Sequence, residues 1–119
     1  MRSLVITCTV GVEDPERCNQ AFTVATAAIA AGAEVTLWLT GEAAWLAVPG
    51  RAETFDLPYA GSLAEARDLV LSGGALIVCS QCAARRSLTE ADLLPGTTIA
   101  GAATFTEAIL AEGVQALVY

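Results

Sequence analysis

Leu76-Ile77-Val78-Cys79-Ser80-Gln81-Cys82-Ala83-Ala84-Arg85-Arg86 is the stretch around which this sequence is organised. An apolar run stops abruptly at a Cys-x-x-Cys, and an arginine pair follows within one helical turn. The run Ala75 to Val78 reads as a strand buried on both faces. Cys79 ends that strand, and Cys82 falls near the start of the helix that follows. No other stretch joins reactive side chains to a strand end.

Working outward, the same alternation recurs. Upstream, Ser62 caps a helix and Glu65 completes a capping-box pattern. Leu63, Ala66, Leu69 and Val70 form its apolar stripe, and Gly73-Gly74 ends it. Leu4 to Thr9 is a β-branched first strand broken by Gly11. Asp14 as N-cap, Pro15 at the first helical position and Glu16 at the positive end start a helix that runs to Ala31 and stops at Gly32. The middle of that helix is apolar or small on nearly every face, so it is expected to be covered on two sides, by the sheet and by a neighbouring subunit. Glu34 to Leu39 is the second strand, Thr40-Gly41-Glu42 turns, and a short helix spans Ala43 to Val48. Pro58 argues against a central strand within Arg51–Gly61, which reads as a surface loop with a short edge strand or a lid over the site. Downstream, Thr89–Asp92 forms a helical turn, Thr97–Ala100 a fourth strand, Ala102–Ala111 a helix and Val114–Val118 a fifth strand. Strands that alternate with helices along 119 residues imply one α/β domain, with a parallel sheet covered on both faces. In such sheets function sits at the carboxyl ends of the strands. Cys79, the Gly11–Asp14 loop, the Thr40–Glu42 turn and Gly101–Ala102 all fall there.

Composition removes many chemistries. All six basic residues are arginine, and lysine and histidine are absent. Schiff-base lysine, Cys-His and Ser-His pairs and histidine-ligated zinc are therefore impossible within one chain. A net charge of −7 argues against nucleic acid. Charged residues make up only 16% and hydrophobic residues 55%, so part of the surface is expected to be buried against other subunits. The most apolar helix is too short to span a bilayer, and Met1-Arg2-Ser3 with the run after it does not form a signal peptide. Four cysteines without a secreted framework point to reduced thiols and a cytoplasmic setting.

Cys79 and Cys82 at a strand-to-helix junction are the candidate catalytic pair. A helix N-terminus favours thiolate, and Arg85 and Arg86 add positive charge if they fold back toward the sulfur. Such a thiolate can accept sulfane sulfur, exchange with a disulfide or be oxidised. The rival readings are half a zinc site, which lacks a second Cys-x-x-Cys, and two inert core cysteines. Cys8, Cys18, Phe22 and Trp38 read as core, and Trp45 as core or interface. Glu13 and Asp14 read as a cap on the functional rim, and Thr104 and Thr106 are weak polar candidates. Neither a metal nor a cofactor is expected.

Cys79-x-x-Cys82-x-x-x-Arg86 with the Arg85-Arg86 pair resembles the DsrE/DsrF-like family of small sulfur-relay and YchN-like proteins. The Gly11–Pro15 loop, the Thr40-Gly41 turn and the closing strand Ala116-Leu117-Val118-Tyr119 support the likeness, which spans essentially the full length. The resemblance implies a three-layer α/β/α fold, a five-stranded parallel sheet of order 4-3-2-1-5, and homotrimers or homohexamers. It also implies that Cys79 carries a persulfide between donor and acceptor proteins. Cys82 would assist or resolve, and Arg85 and Arg86 would bind anionic sulfur. One departure is Ser87, where the family often has glycine. A dithiol–disulfide protein using Cys79 and Cys82, or an oligomeric binding module, are the alternatives.

Overall fold

The computed structural model describes residues 2–119; Met1, which opens the lead-in to the first strand, lies outside the described residues. Five strands, β1 (Ser3–Cys8), β2 (Glu34–Leu39), β3 (Ala75–Cys79), β4 (Thr98–Ala100) and β5 (Val114–Val118), form one sheet in the order β4-β3-β2-β1-β5. Every pairing is parallel. Four α-helices connect them: α1 (Pro15–Ala30), α2 (Leu63–Gly73), α3 (Ser80–Arg85) and α4 (Ala102–Leu110). The expected α/β/α layering and strand order are therefore those of the molecule.

Side-chain alternation divides the sheet into two unequal faces. Ile6, Cys8, Val35, Leu37, Leu39, Leu76 and Val78 point to one face and form the main core with Cys18, Phe22 and Ala25 of α1. Cys82 and Ala83 of α3 join the same cluster. The opposite face carries Thr7, Trp38 and Cys79 and is covered by α4, whose Phe105 meets Trp38 edge-on with ring centroids 5.2 Å apart. That second layer is thin, since no residue of α4 is buried.

Several local expectations change in detail. The helix after β2 is a 3₁₀ segment, Gly41–Ala47, and β4 starts at Thr98. Asp14 occupies the N-cap position of α1, but its side chain makes no capping bond and lies 3.5 Å from Arg17 Nε instead. In α2 the buried positions are Leu63, Arg67 and Val70, while Leu69 is 42% exposed. Arg67 is buried because its guanidinium is fully engaged. Nη1 and Nη2 donate to the two carboxylate oxygens of Glu53 at 2.9 and 2.8 Å, and Nε and Nη2 donate to Asp68 Oδ1. Glu53 belongs to the short 3₁₀ turn Ala52–Thr54, so this ion pair ties the Arg51–Gly61 loop to α2. The loop forms no strand. Its Leu57–Ala60 turn lies against Glu16, Asn19, Gln20 and Thr23 of α1, on the sheet face opposite α4, and does not cover Cys79. α2 of the same chain packs along α1, whose outer residues Thr23, Ala27 and Ala30 are exposed.

Candidate functional site

Three loops meet above the carboxyl ends of β1, β2 and β3, and they interlock through two glycines. Gly11 sits so close to the 3₁₀ segment that a Cβ there would lie 2.8 Å from the Glu42 carbonyl oxygen. Gly41 adopts φ +55°, and a Cβ on it would lie 2.9 Å from the Thr9 carbonyl oxygen. Only glycine satisfies both the left-handed backbone and the close approach. The result aims the Gly41 N–H at Cys82, whose Sγ accepts it at 3.1 Å. Cys82 is thereby held beneath the Thr40–Gly41 turn, buried in the main core.

Cys79 is different. It is the last residue of β3 and the N-cap of α3, its backbone extended at φ −60°, ψ 129°. Its thiol is partly exposed and unoxidised. Burial pushes that thiol up. The N–H and thiol of Cys82, the N–H of Gln81 and the guanidinium of Arg85 more than offset this and hold it below its ordinary value. The chain divides here. β3 leads into α3 on the main-core face, whereas β4, whose Ala100 is opposite Cys79, leads through Gly101 into α4 on the other face. Adjacent strands whose connections leave to opposite faces open a crevice at their carboxyl ends. The crevice continues into a cavity of about 150 Å³ lined by Thr7, Trp38, Thr40, Cys79, Gly101, Ala102 and Phe105.

The two arginines separate in role. Arg86 donates through Nε, at 2.8 Å, to Glu42 Oε2, with Nη2 also 2.8 Å from that oxygen. Its Nη1 donates to the Cys82 carbonyl at 3.1 Å, so it fastens the end of α3 to the 3₁₀ segment. Arg85 is exposed at the last turn of α3, and among the described residues it is the cation that acts on Cys79. Cys79, Cys82 and Arg85 are thus brought together, while Arg86 is committed to Glu42. Cys8 and Cys18 are buried against each other, with Cys8 Sγ donating to the Val10 carbonyl. No three Cys, Asp or Glu side chains gather as metal ligands among the described residues. Thr7, Trp38 and Phe105 were not singled out from sequence as site residues. Parallel register was the available signal, since Thr7 is opposite Trp38 and both share the face of Cys79.

A small three-layer α/β/α protein with an all-parallel sheet and a thiol poised at the split between two strand ends is the class that fold and site define. The chain belongs to the DsrE/DsrF-like family, which it matches over residues 2–118. Its fold is similar to the crystal structure of the YchN protein from E. coli, with a TM-score of 0.83, 15% identity and 100% of each chain covered. It is also similar to MTH1491 from Methanobacterium thermoautotrophicum, a protein described as of unknown function, with a TM-score of 0.69, 15% identity and 100% of each chain covered. No curated protein matches it. Family membership supports a role of the sulfur-relay type in general terms.

Proposed function

We propose that this protein is a cytoplasmic sulfur carrier that accepts sulfane sulfur on Cys79 as a persulfide and hands it to an acceptor protein. The observation that carries this reading is the environment of Cys79: a partly exposed thiol at a strand end, held below its ordinary pKa by local N–H groups, Cys82 and Arg85. The thiolate is the nucleophile in sulfur exchange, and its fraction at neutral pH is one determinant of the rate, together with its nucleophilicity, the leaving group and access. Cys79 Sγ attacks the sulfane sulfur of the donor and a new S–S bond forms. The bond from that sulfur to the donor breaks, with the electron pair leaving on the donor. An acceptor thiolate then attacks the outer sulfur and restores the Cys79 thiolate. The relay needs no cofactor and no net oxidation. Cys82, beside Cys79 but anchored by Gly41, assists the thiolate rather than meeting the donor first.

Intact-protein mass spectrometry after incubation with a sulfane-sulfur donor tests the reading. Wild type gains the mass of one sulfur on the Cys79 peptide, Cys82→Ser still gains it, and Cys79→Ser does not. Absence of the adduct in wild type would sink the proposal.

The contact between the two thiols favours one second reading, a reversible Cys79–Cys82 disulfide used for redox exchange. Titration in glutathione buffers distinguishes it: Cys79 and Cys82 peptides that are both alkylated at every oxidising ratio exclude a disulfide function.

A further inference from the structure

The cavity beside Cys79 has a chemistry of its own. Its wall presents no accessible nitrogen or oxygen atom, although Thr7, Trp38 and Thr40 contribute to it. At about 150 Å³ it is several times the roughly 30 Å³ that a water occupies in the liquid, so it has room for a chain of a few heavy atoms. Its aromatic part is the Trp38–Phe105 pair, and sulfur makes favourable contacts with aromatic rings. Trp38 and Thr7 are 2% and 7% exposed, and the Trp38 Nε1 and Thr7 Oγ1 atoms have no hydrogen-bond partner among the described residues. An oxyanion placed in such a wall would lose its hydration and meet no exposed donor. A neutral sulfur chain loses little on leaving water.

We infer that this cavity receives the sulfane sulfur and the leaving group of a small donor without a fixed charge, an alkyl hydropersulfide in its protonated form, and discriminates against oxyanion-ended donors such as thiosulfate. The inference rests on the carrier reading of Cys79 and specifies its substrate class. Displacement at sulfur is in line, so the Cys79 Sγ, the sulfur in transit and the leaving group share one axis. With Cys79 in the wall, that axis runs into the cavity, and the leaving group is what the wall selects. Cys79–S⁻ and R–S–SH give Cys79–S–S⁻ and R–SH, the donor's own proton passing to the departing alkyl sulfur because a perthiol is a stronger acid than a thiol. The Cys79–sulfur bond forms as the RS–sulfur bond breaks, the electron pair leaves on the alkyl sulfur, which takes up the proton and departs as a neutral thiol, and there is no net redox change.

The experiment compares loading of Cys79 by a small-alkyl hydropersulfide and by thiosulfate at equal concentration, read as sulfur mass on the Cys79 peptide over time. Wild type loads at least tenfold faster from the hydropersulfide. Ala102→Leu, which places bulk in the cavity from an exposed position at the start of α4, slows hydropersulfide loading at least tenfold. Its Cys79 still titrates with a bulky aromatic disulfide that reacts from outside. Equal rates from both donors, or an Ala102→Leu variant that loads like wild type, would overturn the cavity's role while leaving the carrier reading intact. No sulfur on Cys79 from either donor would overturn both.

Discussion

At Cys79 the contest is between burial, which raises the thiol, and four local groups, which lower it. Of those groups, Arg85 is the one removable without touching the backbone or the second thiol. Arg85→Met is therefore expected to move the pH midpoint of Cys79 alkylation upward, since less thiolate persists at a given pH. The wild-type midpoint is expected below that of a free cysteine. Arg86→Met is expected to leave the midpoint near wild type and to lower thermal stability instead, because Arg86 holds Glu42 and the Cys82 carbonyl. Alkylation rates of the Cys79 peptide across pH, set beside melting curves, read both effects. Ser87, two residues after Arg85, has φ 56°, a left-handed backbone that glycine adopts without strain. Ser87 thus closes α3 with a strained C-terminal turn. Relief of that strain predicts that Ser87→Gly stabilises the fold by about 0.5–1 kcal/mol, measured by denaturant unfolding.

Among the elements, those set by local chemistry were legible in the sequence and those set by distant partners were not. Pro15, Gly32, the Ser62–Glu65 cap and the β-branched runs act within a few residues. Accordingly α1, α2 and the strands fall where the sequence places them, with Ser62 Oγ accepting from the Glu65 N–H at 3.1 Å. Cys79 and Cys82 were legible as a pair for the same reason, being set on one strand-to-helix turn. The buried stripe of α2 departs from its apolar periodicity because Arg67 is buried by a carboxylate 14 residues earlier in the chain, and no helical periodicity encodes that. The cavity wall is not legible in the sequence because it comes from four separate strand ends and helix starts. The Arg67–Glu53 pair has a measurable signature. Hydrogen bonds from Arg67, chiefly, hold the Glu53 carboxyl down to about 2, against an ordinary 4.5. A depressed carboxylate contributes stability above its unfolded value, and the contribution fades as pH falls through the folded one. Glu53→Gln is expected to melt at a lower temperature than wild type at neutral pH, with the gap closing between about pH 4.5 and 2. High salt narrows the neutral-pH gap, since the Glu53 side chain is half exposed. A gap that persists unchanged at pH 2 would show that packing, not the ion pair, anchors the Arg51–Gly61 loop.

At the scale of the whole molecule, apolar surface is unevenly distributed. The α1–α2 face is closed by its own helices, but the opposite layer is a single helix with no buried residue beside an edge strand whose last four residues are exposed. Leu110 at the end of α4 is 77% exposed and Val118 of β5 is 69% exposed. For a chain with only 16% charged residues, this is the surface that copies of the protein are best placed to share. It also bears on the relay, because Cys79 opens on the same side of the sheet as α4. We therefore propose that copies of the chain associate as a homotrimer or homohexamer and do so through the α4–β5 side rather than over α1, bringing the Cys79 crevices near subunit boundaries. Val118→Asp puts a carboxylate into such a contact, and burying it without a partner costs several kcal/mol. A penalty of that size raises the dissociation concentration by about a hundredfold or more, at 1.4 kcal/mol per factor of ten. Sedimentation velocity over a concentration series is expected to show wild type as an oligomer and Val118→Asp as a folded monomer. Thr23→Asp, on the exposed outer side of α1, is expected to leave the oligomer intact. The reverse pattern, with Thr23→Asp dissociating and Val118→Asp unaffected, would move the interface back to α1.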